Sequence, residues 1–98
     1  MTYKINNIIR DQKHQQLQVQ KLVKTPSVEI LGVSLEKGAI FPKHTSPTEA
    51  QLIVLEGKIN FHIEDKNYVL GKHQLFSFPK EIVHWVSAEE NAKFLIVR

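Results

Sequence analysis

The 98-residue sequence predicts an all-β fold, a sandwich or barrel of short strands. Three observations predict it. From residue 17 onward, apolar or alternating runs are broken by turn residues about every 8–12 positions. Several runs alternate apolar with polar side chains, the period of a strand with one buried face. Nothing after residue 17 sustains the 3.6-residue apolar period of a helix. The length suits a single domain over residues 1–98, because each half would be too short for a core.

Residues 1–16 form an arm outside this pattern. Ile5, Ile8 and Ile9 would share one helical face, but Asn6-Asn7 disfavours a long helix, so a helical turn or irregular arm is expected. The barrel, residues 17–98, begins with Leu17 to Val23, which alternates imperfectly until Thr25-Pro26-Ser27 breaks it. Val28 to Leu35 is rich in β-branched and aliphatic residues and gives way to Lys37-Gly38. Ala39-Ile40-Phe41 leads to Pro42, and Thr45-Ser46-Pro47-Thr48 is a polar loop. Gln51 to Leu55 is nearly all apolar, as for a strand covered on both faces. Glu56-Gly57-Lys58 turns the chain into Ile59, Phe61 and Ile63, which alternate with Asn60, His62 and Glu64. Glu64 to Asn67 is a hairpin-like turn into Tyr68-Val69-Leu70, and Gly71-Lys72-His73 turns the chain again. Leu75 to Phe78 stops at Pro79, Val83 to Val86 follows a short loop, and Phe94 to Val97 closes the chain. The outcome is about eight short strands.

Composition narrows the function classes. Hydrophobic residues at 42% and charged ones at 23% suit a folded globular protein. No apolar run approaches the ~20 residues of a membrane span, so no membrane association is expected. The first residues show no apolar stretch followed by a small-residue cleavage site, and a cytoplasmic location is expected. The absence of cysteine excludes disulfides, thiolate ligands and a cysteine nucleophile. The net charge of +3 rests on eleven scattered lysines and only two arginines, Arg10 and Arg98. Bidentate phosphate and base contacts favour arginine, so a solvated lysine surface is expected rather than a nucleic-acid site. Neither a Gly-rich phosphate loop nor a Gly-x-Ser-x-Gly nucleophile motif occurs.

Two spaced motifs carry a family resemblance. Gly38 is followed by AIFPK and His44, and the same segment closes on Val54-Leu55-Glu56-Gly57. Further on, Pro79-Lys80-Glu81-Ile82-Val83-His84 keeps a proline and a histidine at a fixed interval. In this order, and with a hairpin between them, they resemble the two motifs of the cupins. The resemblance implies a jelly-roll β-barrel of two packed antiparallel sheets.

Metal-binding cupins use two histidines and a glutamate from the first motif and a histidine from the second. Here the implied positions are His44, Ser46, Ala50 and His84, so two of four donors are present. Two imidazoles leave most of the coordination sphere to water, whereas catalytic zinc or non-haem iron sites usually have three protein ligands. Glu49 lies one position from the glutamate, and a one-residue shift on a strand reverses the facing. A bulge at Thr48-Glu49-Ala50 would be needed to turn it inward. Among the other histidines, His62 is expected outside the core, opposite Phe61 and Ile63, with His14 and His73 exposed in polar segments. Trp85 is expected on the opposite face from His84.

The expected function is small-molecule binding in a barrel without a full metal site or resident cofactor. The pocket would be lined by His44, Ser46, Ala50, Leu52 and His84, roomier than in a metal-binding relative. One alternative is a metal-dependent oxygenase or isomerase in which His44, His84 and a shifted Glu49 hold a divalent transition metal weakly. Another is a non-catalytic, self-associating scaffold. The resemblance also implies a homodimer.

Overall fold

The computed structural model describes residues 2–98. One helical turn, α1 (Ile8–Asp11), precedes nine strands. These are β1 (Leu17–Lys24), β2 (Glu29–Leu35), β3 (Ile40–His44), β4 (Ala50–Glu56), β5 (Lys58–Ile63), β6 (Lys66–Gly71), β7 (Leu75–Phe78), β8 (His84–Ala88) and β9 (Ala92–Val97). They form a five-stranded sheet in the order β1-β2-β9-β4-β7 and a four-stranded sheet in the order β3-β8-β5-β6. Every pairing is antiparallel. The all-β, two-sheet expectation holds, with one strand more than the turn spacing suggested.

The core follows the two-residue period. Leu31, Val33 and Leu35 of β2, Leu52 and Val54 of β4, Ile59, Phe61 and Ile63 of β5, and Phe94 and Ile96 of β9 are buried between the sheets. Two departures from the sequence reading have local causes. The β3 strand runs through Pro42 because it is an edge strand whose register shifts between Phe41 and His44, so a ladder donor is dispensable there. Gly57, at φ +79°, links β4 to β5 so close to the β8–β9 loop that a Cβ would run into the Asn91 carbonyl oxygen and lie 2.8 Å from Ala92 Cα.

The arm is partly ordered against the barrel. Lys93 Nζ donates to the carbonyls of Ile9 (2.8 Å) and Arg10 (3.0 Å), closing off the end of α1. Ser34 Oγ donates to the Lys13 carbonyl at 2.7 Å, and Gln12 Nε2 reaches the carbonyls of Gln18 and Gly32. These contacts strap residues 9–13 over the outer face of the large sheet. They explain why Lys93 and Ser34, which point away from the core, are nonetheless buried. Ile5 does not share a helical face with Ile8 and Ile9, since the helix is only one turn and Ile5 is exposed.

Candidate functional site

The register of β3 against β8 sets His44 opposite His84. Their ring centroids are 4.3 Å apart and meet edge to face. His84 is 1% exposed, stacked on Phe61 (5.1 Å) and edge-on to Phe78 (4.6 Å). His44 is half-buried and stacks on Phe41 at 4.2 Å. Phe76 and Tyr68, with rings 5.1 Å apart, complete an aromatic rim around this end of the barrel.

Both histidines are held alike. His44 Nδ1 lies 2.5 Å from the Pro42 carbonyl and His84 Nδ1 lies 2.9 Å from the Ile82 carbonyl, each two residues back. A carbonyl only accepts, so both Nδ1 atoms carry a proton, which leaves Nε2 as the lone-pair acceptor in the neutral form of each ring. Burial lowers the His84 pKa from its ordinary value, more than the Ile82 bond raises it, and the nearby His44 lowers it further. His84 is therefore neutral at pH 7.

The remaining expected site residues are placed differently from one another. Ser46 is buried, and its hydroxyl donates to the Thr48 carbonyl at 2.6 Å, within its own loop. Ala50 and Leu52 face inward but are 0% exposed, so no water-sized space borders them. The roomier pocket expected at that wall is taken up by an aromatic cluster, in which Phe61 lies 4.8 Å from Phe76 and 4.9 Å from Phe78. Glu49 is exposed and lies in a shallow groove with Gln51 and Ser77 on the outside of the large sheet. The pairing of β4 against β7 begins at Ala50 and runs without a shift to Ile53, and Glu49, just before it, lies on the exposed side.

The donor set does not fit a resident metal. Among the described residues, no three His, Cys, Asp or Glu side chains converge. His44 and His84 offer two nitrogens, the Ser46 hydroxyl is engaged by its own loop, and Ala50 has no donor atom.

His62 and Trp85 lie outside the core, as their parity requires, on the outer face of the small sheet. His73 is exposed, but His14 is not. His14 is half-buried with Nε2 2.7 Å from Glu56 Oε1, because the strapped arm carries it onto the sheet. Sequence reading missed the His62–Trp85 stack, the Lys93 latch and the identical Nδ1 locks. Only the alternation that aligns His62 with Trp85 hinted at any of them.

Two antiparallel sheets packed into a small jelly-roll barrel, with paired histidines at one end, define a double-stranded β-helix protein. Residues 32–98 match the cupin domain family, and the chain belongs to it. It is similar to a conserved protein of unknown function from Streptococcus pyogenes, at 25% identity and a TM-score of 0.81 over 99% of this chain and 87% of that one. An RmlC-like cupin protein from Desulfovibrio desulfuricans is 19% identical with a TM-score of 0.85, covering 98% of this chain and 95% of that one. An RmlC-like cupin family protein with a double-stranded β-helix fold from Methanocaldococcus jannaschii is 22% identical with a TM-score of 0.81, over 100% and 88%. The last two likenesses bear on the fold alone. No curated protein matches the chain. Among the described residues, no helix is long and apolar enough to cross a membrane.

Proposed function

We propose that the chain is a metal-independent binding domain that takes a small molecule at the barrel mouth, against His44 with His84 behind it. The observation that carries this reading is the pair of Nδ1 locks, which leave two imidazole Nε2 acceptors beside an aromatic rim. Such a site suits a small, largely apolar ligand that donates a hydrogen bond from a hydroxyl or amine. Ligand entry requires Phe41 or Phe76 to change rotamer, and both are only partly buried. Neither histidine has a carboxylate partner among its hydrogen bonds, which favours binding over acid–base catalysis.

A panel of small hydroxylated and amine-bearing aromatics, followed by 15N–1H NMR in EDTA, tests this. Saturable shifts at His44, Phe41 and Phe76 that vanish in His44→Phe support it. Shifts that arise only when zinc or nickel is added would instead favour the metal-dependent enzyme. We further propose a homodimer in the cytoplasm. A chain without cysteine accords with that compartment, and Tyr3 and Ile5, 86% and 90% exposed on the arm, offer apolar contact surface. A solution mass of 11.3 kDa at high concentration would overturn the dimer.

A further inference from the structure

The outer face of the small sheet carries a second assembly, with the sheet itself between it and the barrel interior. Strand order and register align Trp85, His62 and Asn67 in one row across β8, β5 and β6, and Lys43 of β3 lines the same groove. His62 and Trp85 stack face to face, with centroids 3.6 Å apart and planes 4° from parallel. His62 Nε2 is bonded to Ser87 Oγ at 3.0 Å, which anchors the stack, and desolvation lowers the His62 pKa and keeps the ring neutral. The indole is thus a plate backed by imidazole on one side, and it lines the same groove as Lys43.

This row borders a groove of about 460 Å³ whose far lip is the β5–β6 hairpin. Ile63 pairs with Lys66, so the hairpin loop is Glu64-Asp65, and both loop residues adopt positive φ (51° and 60°). That is the type I′ conformation, which ordinarily calls for Asn-Gly. Two carboxylate residues held there place Glu64 and Asp65 on the groove wall in a backbone state that side chains disfavour. The groove therefore holds two carboxylates, two ammonium groups (Lys43 and Lys66), an amide and a fixed aromatic plate.

We propose that this groove binds a neutral, polyhydroxylated ring of mono- or disaccharide size. Either sign of charge on a ligand would meet a like charge in the groove. A neutral ring with many hydroxyls meets a donor or acceptor at every wall, and its C–H face packs on an aromatic plate. The volume lies at the lower end of the usual range for ligand pockets.

Trp85 is the sole tryptophan of the chain, so emission excited where the two tyrosines do not absorb reports on the surroundings of this indole. Titration with glucose, maltose and N-acetylglucosamine should give a saturable emission change in the millimolar range for at least one of them. Half-saturation should rise tenfold or more in Asn67→Ala and in Asp65→Gly, a change that suits the turn and spares the fold. NMR shifts should gather at the Trp85 indole N–H and the Asn67 side-chain amide. Three titration results would overturn the proposal. These are no saturable change up to about 100 mM of any sugar, half-saturation in both variants unchanged from the wild type, or tighter saturation by phosphate or acetate than by every sugar. Sugar-induced shifts that gather at His44 and Phe41 would also overturn it, since they place the sugar at the barrel mouth.

Discussion

Phe61→Ala tests whether the barrel interior is closed by aromatic packing. Phe61 is 1% exposed and touches three other rings, those of Phe76, Phe78 and His84, with centroids 4.8, 4.9 and 5.1 Å away. Truncating a buried phenylalanine costs about 3–5 kcal/mol, through lost transfer energy and the cavity left behind. The edge and offset contacts with its neighbours put this site at the upper part of that range. For a domain of this size, that corresponds to a melting temperature lower by upwards of about 12 °C. Urea unfolding followed by circular dichroism measures the loss, and an unchanged slope would show that the same surface is exposed on unfolding. The cavity should also admit benzene or indole, and either should restore part of the stability by mass action. Phe61→Leu, costing roughly 1 kcal/mol, keeps the comparison measurable if the alanine variant does not fold. A loss below about 1.5 kcal/mol for alanine, with no ligand stabilisation, would refute the packing argument and mean the interior collapses or was never filled.

Four further outcomes follow from specific contacts. Because the His84 pKa is lowered in the folded state, stability should be full above the ordinary imidazole value of about 6.5 and fall as pH drops below it; His84→Leu should flatten that part of a urea-midpoint profile between pH 7 and 5. Gly57→Ala should cost about 2 kcal/mol or more in thermal unfolding, since the position needs positive φ and a Cβ meets the Asn91–Ala92 backbone. Lys93→Met removes the latch on Ile9 and Arg10, so trypsin should cleave at Arg10 and Lys13 roughly tenfold faster while the barrel core keeps its melting temperature within about 10 °C. Glu49→Gln should leave any nickel affinity measured by calorimetry unchanged, because that carboxylate lies outside the barrel.

The candidate site was only half legible in the sequence. His44 and His84 could be paired in advance because each sits in a spaced motif, and the motifs fall on strands that become neighbours. The facing of Ala50 and Leu52 was also readable from parity, but their surroundings were not. Whether small side chains leave a pocket depends on how far rings from other strands lean across. Here Phe61, Phe76 and Phe78 come from β5 and β7. The arm was the least legible part. Residues 9–13 have little pattern of their own, and they are ordered by Ser34 and Lys93, side chains of β2 and β9.

By itself the sequence determined most of the strands, their inward faces, which side chains stand at the motif positions and the absence of thiol chemistry. Each of these is a local or compositional property, set by a two-residue period or by which atoms a side chain owns. Only the tertiary structure decided that the barrel is filled, that both imidazoles are held by Nδ1 to the carbonyl two residues back, and that His62 and Trp85 stack on the outside. Those outcomes depend on which distant strands become neighbours and in what register, and strand pairing across the chain is not written in any single segment.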